Sequence, residues 1–229
     1  MKRNDLLFIL VFVAIFLPFF ISDSLYEFFR KFSTEWAFTA SFIKFAILAT
    51  LGEMLGLRIR TGSYFAKGFG ILPRAMVWGF LGMTVKAAFI IFGSGVPNII
   101  SHLGMHDTGA VMAGTLTGSK VLLAFCISFF LNVFYAPVLM ITHRITDTHI
   151  VATGGTFKGF FTVPDVTKIF REIDWSSMWG FVLKKTIPVF WIPAQTVTFL
   201  LPPEFQILFA AILSTVLGVV LAFSAGKGK

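Results

Sequence analysis

The amino-acid sequence predicts an all-α fold, a polytopic transmembrane helical bundle of about six spans that forms one integral membrane domain over residues 1–229. The chain is 56% hydrophobic and only 13% charged, with mean hydropathy +0.85, whereas soluble domains carry about 25% charged residues. It also holds 30 Phe, a residue that favours insertion at the centre of a membrane helix. A bilayer accommodates apolar surface that a soluble core could not bury.

Six apolar stretches approach the length of about 20 residues that a transmembrane helix needs. We place these spans at 6–22, 36–57, 73–94, 119–142, 178–201 and 204–225. The first follows Lys2 and Arg3 as a signal peptide would, but no small-residue cleavage site comes after it, so we interpret it as a retained helix. The stretch 95–118 is rich in Gly and Thr and fits either an ordered loop or a re-entrant segment.

The basic residues predict the orientation of these spans. With the N-terminus in the cytoplasm, the inner segments hold most loop lysines and arginines, and the outer ones hold little beyond Arg30 and Lys31. Both termini then lie on the cytoplasmic side, and five or seven spans would break the pattern. The net charge of +8 follows this topology instead of forming a stripe on one polar face. We therefore expect membrane lipid, and no nucleic acid, as a partner.

Two further patterns concern helix surfaces. The segment 164–175 predicts an amphipathic helix on the inner membrane surface, because its apolar residues share one helical face. Small residues at four-residue spacing predict close helix packing at Gly52 and Gly56 and along the last helix at Ser214 and Gly218. Such a stripe is also compatible with a homo-oligomer.

Charged side chains inside the predicted spans are the main functional candidates. Lys44 and Lys86 each lie about 12 Å from the outer face at a rise of about 1.5 Å per residue, and a central lysine costs about 2.5–3.5 kcal/mol on insertion. Glu53 lies deeper and needs a partner from elsewhere, with Arg58 and Arg74 as candidates. These charges predict either a cationic passage attractive to small anions or closed interhelical pairs.

Lys120 stands at the outer end of the fourth span, where it lines the same passage or extends to the interface. Gln195 lies close to Pro188 and Pro193, which leave backbone carbonyls without a hydrogen-bond donor inside the membrane. The side-chain amide of Gln195 is therefore expected either to donate a hydrogen bond to these carbonyls or to line a pore. The sequence contains no Walker A, GxSxG, HExxH or CxxC motif. We therefore expect no cofactor, no metal and no catalytic residue.

The segment of the fifth span resembles the C-terminal signature of the Mpv-seventeen/peroxisomal-membrane-protein family. That signature has Trp-Pro, Gln, Asn-Phe and Val-Pro at fixed spacing. Here Gln195, Phe199 and Pro202 match it, while Ile192 separates the Trp-Pro pair. The residues concerned are Trp191, Pro193, Gln195, Phe199 and Pro202.

Weaker similarities lie upstream, at Gly52-Glu53, Arg74, Gly82-Lys86 and Lys120, and the resemblance covers about 40–225. It implies a small multi-span protein of the kind described as a channel-like pore for small solutes in mitochondrial inner and peroxisomal membranes. About four spans are usually assigned to such proteins, fewer than the six predicted here.

These observations lead to the expectation of a channel-like or facilitative membrane protein, not an enzyme, that passes small anionic solutes. Two alternatives are a non-conducting membrane scaffold or partner subunit, and an intramembrane enzyme acting on lipid. Because no Arg- and Ser-rich presequence precedes the first span, we favour a prokaryotic inner (cell) membrane, with an organelle membrane as the alternative.

Overall fold

The computed structural model describes the backbone of residues 3–226 and the side chains of residues 3–218, and each regular element in this range is helical. The helices are α1 (Arg3–Phe16), α2 (Pro18–Ile21), α3 (Asp23–Glu35), α4 (Ala37–Thr61), α5 (Ile71–His102), α6 (Thr108–Ala113), α7 (Gly118–Phe134), α8 (Ala136–Ala152), α9 (Phe157–Phe160), α10 (Val166–Glu172), α11 (Trp175–Ser177), a π-helix (Met178–Trp191), α12 (Ile192–Leu200) and α13 (Pro203–Gly226). The predicted all-α fold is confirmed over the described residues.

Two of these helices, α4 and α5, are long and apolar enough to cross a bilayer, and α7 with α8 is a third candidate if the pair counts as one span. The pair bends by 42° where Pro137 lacks the N–H that an unbroken helix would use. The described residues therefore establish a membrane-embedded helical protein with two or three candidate spans. Six spans are not confirmed.

Prolines interrupt or alter the helix in two of the other predicted spans. The predicted span 6–22 breaks at Pro18, where α1 ends and α2 begins. The predicted span 178–201 becomes the π-helix followed by α12, with Pro188 inside the first and Pro193 in the first turn of the second. The missing proline N–H groups disturb the regular hydrogen-bond ladder at both places.

Two segments outside the predicted spans are more helical than expected. The stretch 95–118 is partly helical and not an ordered loop alone, because α5 continues through Pro97 to His102 and α6 follows. Residues 23–35 form α3, an amphipathic helix that the sequence analysis missed. Its phenylalanines at 28, 29 and 32 have the helical spacing that predicts such a face.

The predicted amphipathic segment 164–175 contains α10, which begins where the Asp165 carboxylate accepts a hydrogen bond from the Lys168 N–H at 2.9 Å. Its apolar residues divide between two surroundings. Ile169 and Ile173 are buried against α8 and the π-helix, while Val166 and Phe170 stay exposed.

The bundle is centred on α4, which packs against both α5 and α13. Gly52 lies against α13, where an added Cβ would stand 2.6 Å from the Cα of Thr215. The Thr215 hydroxyl donates a hydrogen bond to the Leu48 carbonyl at 2.7 Å. Gly218, which like Thr215 lies on α13, is close to the Gly52 carbonyl of α4. Close backbone contact of this kind substitutes for the hydrophobic driving force that helices lack in lipid.

The first helix is held to α4 by a polar cluster. The Arg58 guanidinium donates to both carboxylate oxygens of Asp5, at 2.7 and 2.9 Å, and the Tyr64 hydroxyl donates to the same carboxylate at 3.2 Å. Burial, together with the Asp5 carboxylate, raises the pKa of Tyr64. Arg58 is thus engaged by Asp5 and is not the partner of Glu53.

Replacement of Gly52 by Ala is expected to destabilise the protein by about 1–3 kcal/mol, because the new methyl group overlaps the α13 backbone. Gly93→Ala is the matched control, since a Cβ at Gly93 in α5 has no neighbour within 4 Å. Unfolding by SDS titration in mixed micelles measures the difference. Equal stabilities of the two variants would contradict the tight α4–α13 contact.

Candidate functional site

Two glycine-rich turns bring the start of α5 to the end of α8. Gly70, which precedes α5, and Gly155, which follows α8, both have positive φ, +68° and +67°. A Cβ on Gly155 would lie 2.6 Å from the Gly68 carbonyl oxygen and the Gly70 nitrogen. Only glycine allows the two turns to approach this closely. The result is that the first turn of α5 faces the last turns of α8. We call this end of the bundle the Arg74 end.

Arg74 occupies that first turn and is buried, with 7% of its surface exposed. Its three nitrogens each have a partner: Nε donates to the Phe69 carbonyl at 2.6 Å, Nη1 pairs with Glu53 of α4 and Nη2 pairs with Asp147 of α8. The guanidinium also lies 4.3 Å from the centre of the Phe69 ring. A cation at a helix N-terminus opposes the helix dipole, and the two carboxylates offset that cost.

Glu53 has a partner on each carboxylate oxygen. Oε2 pairs with Arg74, and Oε1 accepts from the Trp78 indole N–H at 2.7 Å and contacts His143 Nε2 at 2.8 Å. The rings of Trp78 and His143 pack with centroids 4.3 Å apart. The expectation that Glu53 finds its partner outside α4 is confirmed, with Arg74 as that partner. This network joins α4, α5 and α8.

A cavity of about 480 Å³ opens beside this network, and we call it the vestibule. Its walls carry three guanidinium groups and two carboxylates, from Arg60, Arg74, Arg144, Glu53 and Asp147. Leaving His143 aside, three positive and two negative charges give these walls a net charge of one positive. Arg60 is exposed and the Arg144 side chain is 48% exposed, so both guanidinium groups remain accessible to a solute.

A smaller cavity of about 30 Å³ adjoins the vestibule, and we call it the neck. The two cavities share Leu139, Met140, Trp191 and Ser214 as lining residues. The neck has room for about one water molecule and is too narrow for a hydrated solute.

Two polar side chains that line the neck have no hydrogen-bond partner among the described residues. The Trp191 indole N–H and the Gln195 side-chain oxygen are both buried, and neither has a hydrogen-bond partner among the described residues. Asn132 lines the neck as well and donates to the Ser128 carbonyl at 2.9 Å. Beyond the neck the rings of Phe89 and Phe199 pack with centroids 4.8 Å apart. Unpaired buried polar groups are costly in lipid, so they mark the neck as a place where water or a solute binds.

The structure brings Glu53 and Arg74 into the vestibule and Gln195 into the neck, but it places the predicted lysines elsewhere. Lys44 lines a separate apolar cavity, and Lys86 lines neither the vestibule nor the neck. Lys120 donates to the Gly114 carbonyl at 2.7 Å, outside both cavities.

The signature residues cluster around the neck only in part. Trp191 and Gln195 line it, and Phe199 packs behind it against Phe89. Pro193 and Pro202 are exposed and shape the backbone of this region. Of the predicted packing residues, Gly52, Gly56, Ser214 and Gly218 all line the vestibule.

His143 and Asp147 are the site residues that the sequence analysis did not assign. The predicted fourth span ends at residue 142, whereas α8 extends to Ala152 and carries both on one helical face. Their four-residue spacing was the available signal. Among the described residues no group of three metal-ligating side chains converges.

Comparison with protein-family models, curated proteins and solved structures gives no significant match. The resemblance to the Mpv-seventeen/peroxisomal-membrane-protein family therefore stands on the residues of this chain alone.

Replacement of Arg74 by Ala is expected to lower the free energy of unfolding by about 3 kcal/mol, because it leaves two partly buried carboxylates without their buried cation. Arg60→Ala, at an exposed position in the same cavity, is expected to change it by less than about 0.5 kcal/mol. SDS titration in mixed micelles measures both values. Similar losses in the two variants would show that the Arg74 network does not hold the three helices together.

Proposed function

We propose that this protein is a channel-like or facilitative membrane protein that passes small anionic solutes through the vestibule and the neck. The observation that carries the proposal is the junction of the two cavities at Trp191. A charged cavity leads there into the centre of an apolar bundle, towards two buried polar groups that have no hydrogen-bond partner among the described residues. A helical scaffold has no evident use for such a path, whereas a solute pathway requires one.

The sign of the preferred solute follows from the walls of the vestibule. Its net positive charge and its two exposed guanidinium groups, Arg60 and Arg144, attract anions from the aqueous phase. Arg74 offsets one of the two negative charges of Glu53 and Asp147, and Arg144, which lies 3.8 Å from Asp147, offsets the other. The excess positive charge of the vestibule is therefore that of Arg60. The anion preference thus comes from these arginines and not from Lys44 and Lys86.

The neck acts as a gate in this proposal. Trp191 is the last residue of the π-helix and lies between Pro188 and Pro193. Because prolines donate no backbone hydrogen bond, the helix is weakest next to this side chain. Rotation of the Trp191 ring and separation of the Phe89 and Phe199 rings would connect the vestibule with the opposite end of the bundle.

We extend the proposal to the placement of the chain in the membrane. Six spans, with the broken helices packed as full crossings and both termini on the cytoplasmic side, agree with the distribution of basic residues. Membership of the Mpv-seventeen/peroxisomal-membrane-protein family and a prokaryotic inner membrane belong to the same proposal. The enzyme alternative has less support, because among the described residues no hydroxyl or thiol bonds the His143 ring beside Glu53.

Replacement of Trp191 by Ala is expected to raise anion efflux from proteoliposomes about tenfold, which corresponds to a barrier lowered by about 1.4 kcal/mol. The substitution removes the largest side chain shared by the neck and the vestibule. Trp179→Ala is the matched control, because this tryptophan lies on the same π-helix but is 66% exposed.

Efflux is measured by the release of entrapped chloride through purified, reconstituted protein. If Trp179→Ala accelerates efflux as much as Trp191→Ala does, the neck is not the gate. If correctly inserted wild type and Trp191→Ala both remain silent, the channel proposal fails.

A further inference from the structure

A second large cavity, of about 490 Å³, lies at the other end of α4 from the Arg74 network. We call it the aromatic cavity. It lies among α1, α2, α3, α4 and α13, and its walls are formed mainly by phenylalanines: Phe16, Phe19, Phe20, Phe28, Phe29, Phe32 and Phe205. Its volume is in the range of sites for small organic ligands, about 300–1,000 Å³. It shares no lining residue with the vestibule.

Lys44 is the one charged residue among those that line the aromatic cavity within the described part of the chain. Its ammonium group donates to the Ser33 hydroxyl at 2.7 Å and lies 4.5 Å from the centre of the Phe29 ring. Among the described residues no carboxylate lies within ion-pair distance of it, although ion pairs hold Arg58 and Arg74 in the same bundle. A half-buried ammonium group in apolar surroundings is stabilised by an anion.

The aromatic cavity is open at an apolar surface of the bundle, which faces lipid in the proposed placement of the chain in the membrane. Phe20 and Phe28, which line it, are 84% and 62% exposed. They stand on either side of Ser22, where α2 ends and α3 begins. An amphiphile dissolved in the bilayer therefore has a direct apolar route to Lys44.

We propose that the aromatic cavity binds a long-chain carboxylate from the bilayer. Its head group pairs with the Lys44 ammonium, while its tail lies along the phenylalanines. One ammonium matches a single monovalent carboxylate. A neutral amphiphile would leave the charge uncompensated, and the volume favours one tail over the two tails of a phospholipid. This site is independent of the proposed solute passage.

Binding of the fluorescent fatty acid cis-parinaric acid to the full-length protein in phosphatidylcholine nanodiscs tests the proposal, with palmitate and hexadecanol as competitors. Lys44→Met is expected to weaken carboxylate binding about tenfold or more, since it removes a charged hydrogen-bonding partner. Lys120→Met is the matched control, because Lys120 is another half-buried lysine, lies outside the aromatic cavity and donates to the Gly114 carbonyl. Lys44→Arg retains the charge and is expected to retain binding.

In the wild type, palmitate is expected to displace the probe and hexadecanol to displace it weakly. Equal binding by wild type and Lys44→Met, or equal competition by hexadecanol and palmitate, would overturn the proposal. Loss of binding in Lys44→Arg as well as in Lys44→Met would overturn it too, provided that both variants elute as folded monodisperse protein. So would a phospholipid found by native mass spectrometry at this site in place of the fatty acid.

Discussion

The buried pairing of Arg74 with Glu53 and Asp147 is the interaction on which the rest of the bundle depends. It joins α4, α5 and α8 at one point, and it forms only because the turns around Gly70 and Gly155 come into backbone contact. Once these helices are fixed, α13 packs against α4 through Gly52, and the vestibule is the space left beside the network. A charge of this kind inside a membrane protein is costly unless every partner is present. The same charges that secure the helices therefore line the vestibule.

The prolines determine where that polar cavity ends. Pro188 and Pro193 prevent a regular helix across the segment that carries Trp191 and Gln195. Trp191 lies where the π-helix passes into α12 and lines both the vestibule and the neck. In the proposed passage this is the point at which the π-helical segment meets the solute path.

Particular residues show what the sequence could predict and what it could not. The helical class and the need of Glu53 for an external partner followed from composition and from spacing along one helix, and the structure confirms both. The sequence could not show which of its buried polar residues share one cavity, namely Lys44, Lys86, Glu53 and Gln195. Helical periodicity predicts the depth of a residue in the membrane, but it does not predict which helices are neighbours. His143 and Asp147 entered the site only through the unexpected length of α8. The amphipathic pattern of α3, by contrast, was present in the sequence and had been assigned to a loop.

The most direct test of the account is the reversal potential of the purified protein in planar bilayers under a KCl gradient, compared between wild type and the double variant Arg60→Glu/Arg144→Glu. Both residues are exposed in the vestibule and neither pairs with Glu53, although Arg144 lies 3.8 Å from Asp147. The wild-type current is expected to prefer chloride, and the double variant is expected to shift the reversal potential towards that of potassium. A conducting wild type whose selectivity is unchanged by the two substitutions, or a correctly inserted protein without current, would contradict it.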